Sequence, residues 1–363
     1  MDCTTRRLLK TLGLWTIGGI YRPQERVGKG YGGLCFKGFD ITNGTNVFIK
    51  ILISPRGDME LSKFRMEHTV LQHIARHPLL KICPSPLFFF ERDDQLAAAL
   101  VTEWIEGTSL DQGFETFQLY TIADKIQLLR RINLTLIGAS TFAQHRDVHP
   151  GNIIIMDAET AKLFPPHGWE EIETGVRLVD WGESLPHLFA NYDESPDDHF
   201  LLADRVPKTI SGTFDGLPPE TFTEDQDIRI SGIGGKAISW SFGLLSVRLL
   251  LGTSPKSFRS VAQFISGVQS GELKNWVDAI SRDLLNLQCA NAHIISALVG
   301  NLLKSDPNER LDINSAGIVL RDLMHEDLSF ITSPQDVAAY VKDPHNYGGY
   351  ARWNHKEEEE NDG

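Results

Sequence analysis

The sequence predicts an α+β protein in two parts: a small β-rich part carrying one helix, then a larger and mainly helical part. Residues 47–53 and 96–104 are apolar runs of strand length, rich in β-forming side chains. Past Gly107 the periodicity turns helical, with an apolar stripe over 120–142. The run 240–251 is apolar on nearly all sides apart from Ser246 and Arg248, as befits a helix in the middle of a domain. A chain of 363 residues also exceeds what one hydrophobic core usually holds.

Taken in order, residues 1–22 read as an N-terminal extension packed on the body. Its apolar stretch is broken by Lys10, Thr11, Gly13 and Thr16, which argues against a signal peptide. Residues 23–106 form the β-rich part. Within it, 59–75 carries Leu61, Phe64, Leu71 and Ile74 at helical spacing. Residues 107–330 form the helical part, and 331–363 a C-terminal segment ending in the solvated acidic run Glu357-Glu358-Glu359-Glu360.

Composition narrows the function. Lys plus Arg total 35 against 48 Asp plus Glu, a net charge of −13, so general nucleic-acid binding is not expected. Cys3, Cys35, Cys83 and Cys289 are far apart, without the spacing of a structural zinc site, and point to a reducing, cytoplasmic setting. No stretch reaches the roughly 18 uninterrupted apolar residues of a membrane span.

Three segments carry chemistry. In Gly28-Lys29-Gly30-Tyr31-Gly32-Gly33 the glycines let backbone N–H groups approach phosphate oxygens. A dinucleotide fold would need a helix directly afterwards. Here a strand, an Asn43-Gly44 turn and a second strand follow, the pattern of a lid over phosphates. Lys50 ends that second strand, and Glu67 faces the same way as Leu71 and Ile74 on the predicted helix, so it is the carboxylate to hold Lys50. Glu60, at the helix start, is the competing partner. Farther on, His145-Arg146-Asp147-Val148-His149-Pro150-Gly151-Asn152 sets an acid and an amide five residues apart before a strand. Val179-Asp180-Trp181-Gly182 puts a second acid at a strand end. Phosphoryl transfer from ATP needs such a kit: one carboxylate to orient the hydroxyl (Asp147) and oxygen ligands for Mg²⁺ (Asn152 and Asp180).

With these segments in place, residues 23–330 resemble the eukaryotic-type Ser/Thr protein kinase family, as a divergent member with its bilobal fold. Gly28-x-Gly30-x-x-Gly33 is similar to the glycine-rich loop, and Val47-Phe48-Ile49-Lys50 to the Val-Ala-Ile-Lys strand. Thr102 stands as gatekeeper of a hinge over 101–107. The resemblance implies ATP binding by Val27, Gly28, Gly30, Gly33, Cys35, Phe48, Lys50, Thr102, Glu103, Ile105 and Ile154. It implies Mg²⁺ at Asn152 and Asp180, and catalytic roles for Asp147, Lys50, Glu67, His149 and Thr213. Residues 209–220 resemble the end of an activation segment, Arg310 matches the partner of Glu220, and Trp240-Ser241-Phe242-Gly243 resembles the core helix of the large lobe.

The chain departs from the family pattern at Phe48 (alanine is usual), His149 (lysine), Trp181 (phenylalanine) and Ile238 (aspartate). The expected function is transfer of the ATP γ-phosphoryl group to Ser or Thr of protein substrates. Autophosphorylation at Thr209 or Ser211 would pair phosphate with Arg146. A small-molecule phosphotransferase is the first alternative, suggested by His149-Pro150-Gly151 and opposed by 212–220. A binding module without catalysis is the second, suggested by Phe48, His149 and Ile238.

Overall fold

Strand alternation explains the first unit. In the computed structural model, β1 (Tyr21–Gly30), β2 (Gly33–Asp40), β3 (Thr45–Ile53), β4 (Pro86–Glu91) and β5 (Ala97–Glu103) form an antiparallel sheet in the order β1-β2-β3-β5-β4. Because side chains alternate along a strand, Phe36, Val47, Ile49, Ile51, Ala97, Ala99 and Val101 share one face. The helix α1 (Cys3–Thr11) and the chain after it cover that face with Leu9, Leu14, Ile17 and Tyr21. Asp2 caps the helix by accepting the Thr5 N–H at 2.8 Å, and Arg92 donates to the Leu12 carbonyl at 3.1 Å.

The opposite face carries Cys35, Phe48, Lys50, Leu100 and Thr102, which the register sets side by side: Cys35 opposite Lys50, Phe48 opposite Thr102, Lys50 opposite Leu100. The helix α2 (Asp58–Ala75) buries Leu61, Phe64, Leu71 and Ile74, and Phe64 and His68 meet Phe89 of β4. The Asn43-Gly44 turn is built by Asp40, whose carboxylate accepts the Thr42 and Asn43 N–H groups, while Gly44 takes φ 70°.

The structure describes residues 1–30, 33–53, 58–77, 81–92, 97–156, 174–186, 216–222, 235–253, 256, 258, 260–325, 328, 331 and 333–347. Contacts divide the chain into Met1–Thr108 with Asn152–Pro186, and Ser109–Gly151 with His187–Gly363. The division differs from a simple cut at residue 107. The antiparallel pair β8 (Ile153–Met156) and β9 (Val176–Leu178) belongs with the first unit, where the Leu178 N–H donates to the Ile82 carbonyl at 2.8 Å. The short β6 (Gly107–Ser109) lies beside β8.

In the second unit α3 (Phe114–Gln118) and α4 (Ile122–Phe142) come first, α4 opened by a reciprocal cap between Thr121 and Asp124, and β7 (Ala143–Gln144) follows. The next helix, α5 (Gly235–Leu251), buries Ile238, Trp240, Phe242, Leu245 and Val247. Then come α6 (Val261–Gln269), α7 (Glu272–Leu285), α8 (Ala292–Leu302) and α9 (Ile313–His325). As its all-round apolar sequence requires, α5 packs against α4, α8 and α9. The C-terminal segment adds α10 (Pro334–Lys342) and α11 (Pro344–Tyr347). Tyr340 of α10 is fully buried, and its hydroxyl donates to Asp322 at 2.9 Å. No described helix is long and apolar enough to cross a membrane.

Candidate active site

Lys50 is where the first unit concentrates its charge. Strand alternation turns it onto the α2 side of the sheet, and there Nζ donates to Glu67 Oε2 at 2.8 Å and to Asp180 Oδ1 at 2.7 Å. Lys50 and Glu67 are buried, whereas the Asp180 side chain is 48 % exposed. Burial alone would push the Lys50 ammonium down, but the Glu67 and Asp180 carboxylates outweigh it and hold its pKa well above the ordinary lysine value. Burial also pushes the Glu67 carboxyl up, against the pull of Lys50 and with the Asp180 charge adding to the rise. Lys50 therefore stays charged. Two carboxylates share one ammonium, Glu67 buried and Asp180 half-exposed.

The backbone holds this arrangement under strain. Asp180 has φ 61°, a left-handed conformation uncommon outside glycine. Trp181 follows fully buried, its indole N–H donating to the Leu178 carbonyl at 2.9 Å, and its backbone N–H is held by Glu67. That indole bond is one a phenylalanine lacks, and no local residue pattern marks it. Asn152 is buried beside the same turn, its carbonyl accepting the Val179 N–H at 3.0 Å. An Asp carboxylate and an Asn amide are hard oxygen donors. The residues fit Mg²⁺, which commonly completes its shell with water and phosphate oxygens.

The glycines divide by role. Gly33 has φ 129°, and a Cβ there would lie 2.3 Å from the Ile51 carbonyl oxygen, so the fold itself demands glycine. At Gly28 a Cβ would meet only the Cys35 Cβ at 3.9 Å, ordinary contact. Gly30 ends β1 opposite Gly33. Val27 is exposed, while Cys35, Phe48 and Ile154 are half-buried. Thr102 is buried with its hydroxyl toward the Glu103 carbonyl at 3.3 Å; the Glu103 N–H is taken by the Ser85 carbonyl, and Ile105 is buried next along.

The second unit holds Asp147. Arg146 before it has φ 62°, a second left-handed non-glycine residue. His149 Nδ1 accepts the Gly151 N–H at 3.1 Å, and Nε2 lies 3.7 Å from Asp147 Oδ2. An accepting Nδ1 places the neutral ring's proton on Nε2, toward the Asp147 carboxylate. Elsewhere in this unit Arg310 donates to both oxygens of Glu220 at 2.7 Å, lies over the Trp240 ring at 5.2 Å, and donates to the Lys236 and Lys304 carbonyls. Ile238 is buried on α5. Thr213, Thr209 and Ser211 lie outside the described residues.

Residues 21–327 match the family model described as the protein kinase domain. The chain belongs to the protein kinase family. It is also 27% identical over 240 residues to "Serine/threonine-protein kinase dst1" of Dictyostelium discoideum, a match covering 66% of this chain and 27% of that protein. The chain thus spans about a quarter of the curated relative's length. Kinase-domain proteins in general use ATP and Mg²⁺, and the Lys50 cluster of this protein kinase has the charge and donors for that pair. The family's usual phenylalanine and lysine are replaced here by Trp181, anchored through its indole, and His149, whose ring is oriented by Gly151.

Proposed function

We propose that the chain transfers the γ-phosphoryl group of ATP to Ser or Thr hydroxyls of protein substrates. The observation that carries this reading is Lys50, charged and fixed between Glu67 and Asp180 at 2.8 and 2.7 Å. In the reaction the substrate oxygen bonds to the γ-phosphorus, the bond from that phosphorus to the β–γ bridging oxygen breaks, and ADP leaves. Asp147 orients the hydroxyl and takes its proton. The Nε2–H of His149 steadies the Asp147 carboxylate. Lys50 grips the α- and β-phosphates, and the backbone of Gly28, Gly30 and Gly33 covers them. Val27, Cys35, Phe48, Thr102 and Ile154 line the nucleotide site, with backbone groups of Glu103 and Ile105 on the adenine. Asn152 and Asp180 hold Mg²⁺, which when bound supplies charge neutralisation for the phosphate oxygens.

Specificity for Ser and Thr is supported by the 27%-identical relative, a serine/threonine-protein kinase, and by the sequence around Thr213. Labelled ATP offered with a generic protein substrate, then with aminoglycosides and amino-alcohols, tests the substrate class. We expect label on protein Ser and Thr. Label confined to the small molecules would overturn the reading. Asp147→Asn should lower turnover by about 10²–10⁴-fold while sparing MgATP binding in a thermal-shift titration. Near-normal turnover in that variant would refute the role of Asp147. In active protein, peptide mapping should find phosphate at Thr209 or Ser211, absent from the Asp147→Asn variant.

A further inference from the structure

We infer that Lys63 and Glu183 form a positioning latch that keeps helix α2 in the register at which Glu67 can hold Lys50. This rests on the proposed phosphotransfer reaction for its consequence, but on geometry for its existence. Lys63 and Glu67 are one helical turn apart on α2 and so present one face. Both reach the same short stretch of chain. Glu67 takes the Trp181 backbone N–H and pairs with Lys50, while Lys63 Nζ lies 2.5 Å from Glu183 Oε1.

A third anchor on α2 does a different job. Arg65 donates to both oxygens of Glu91, at 2.9 and 2.5 Å, tying the helix to β4 of the sheet. Arg65 thus fixes α2 to the sheet, and Lys63 fixes it to the residues just past Asp180. A slide of the helix by one turn would cost both ion pairs, and Glu67 would leave Lys50. The Lys63–Glu183 pair is only partly buried, with side chains 37% and 22% exposed, so its strength is modest and its effect is on position. Neither residue touches the reacting atoms. They are positioning residues.

The test uses the full chain with Lys63→Ala, Glu183→Ala, and the charge swap Lys63→Glu with Glu183→Lys. Hydrogen exchange of the peptide covering 178–186 includes the Trp181 amide and needs no catalysis. Each alanine variant should exchange there about three- to tenfold faster, and the swap should restore most of the protection. Phosphotransfer kcat/KM for ATP should fall by a similar factor in the single variants and recover in the swap, with the melting midpoint moved by less than about 2 °C. Unchanged exchange at 178–186 in both alanine variants, or a swap no better protected than those variants, would overturn the latch. Wild-type protein that phosphorylates nothing but shows the exchange coupling would overturn the phosphotransfer reading and leave the latch standing.

Discussion

Two buried clusters of opposite charge, one in each unit, have the same ingredients and opposite ends. In the second unit Arg310 meets both oxygens of Glu220, donates to three backbone carbonyls and lies on Trp240, with both side chains at 3% exposure or less. Every charge there has its complement. In the first unit Lys50 serves two carboxylates, one of them half-exposed. A closed, buried ion pair holds a fold together, whereas an ammonium shared with a solvent-open carboxylate keeps one contact accessible. The difference teaches that two buried cations with similar partners are told apart by whether one partner opens to solvent.

The comparison breaks most sharply at Arg310. Arg310→Met should cost about 3–5 kcal/mol in denaturant unfolding, because it strands a buried Glu220 carboxylate. A loss under about 1 kcal/mol would show that the closed pair is not structural. Lys50→Met should instead leave a folded protein whose phosphotransfer falls by about 10²-fold or more. Its stability should carry a pH signature. Glu67, already pushed up by burial, loses its cation, so the variant is penalised at neutral pH and regains stability as pH falls and the carboxyl takes up a proton. Thermal melts between pH 5 and 8 would check the sign.

Smaller effects sharpen the same contrast between fold and site. Gly33→Ala should destabilise by about 1–3 kcal/mol, since its φ and the Ile51 carbonyl both reject a Cβ. Gly28→Ala should melt within about 0.5 kcal/mol of wild type yet raise the KM for ATP. Equal destabilisation by the two would erase the distinction. Smallest is Asp312, the cap of α9. Burial works to raise its carboxyl, but bonds from the Ser315 hydroxyl and the Ser315 and Asn314 N–H groups outweigh it and lower the pKa. Its contribution is therefore present above the ordinary carboxylate value and lost as pH falls through the lowered one. Asp312→Ala should cost about 1 kcal/mol at pH 7, the gap closing in strong acid.

Much of this was legible in the residues. The apolar runs 47–53 and 96–104 marked β3 and β5, the glycine loop and Asn43-Gly44 turn marked β2 between them, after β1, and spacing on the helix singled out Glu67 over Glu60, which lies at the helix start. The all-round apolar run 240–251 announced a central helix, and α5 occupies that place. What was hidden depends on distant partners. Leu9, Leu14 and Ile17 look like scattered hydrophobics until the sheet face they cover is known. Lys63 and Glu183 have the composition of any solvated pair, and nothing local joins them across 120 positions. The indole bond of Trp181 and the grouping of β8 and β9 with the first unit are likewise tertiary facts.

The cover over the sheet has a practical consequence. The family-matched stretch opens at residue 21, downstream of the α1 helix. A truncation made at that border would discard Leu9, Leu14 and Ile17 and lay bare a greasy surface of Val47, Ile49, Ile51 and Val101. Such a fragment would be sticky and prone to self-association, so the first twenty residues are as much a part of the folding unit as the strands they shelter.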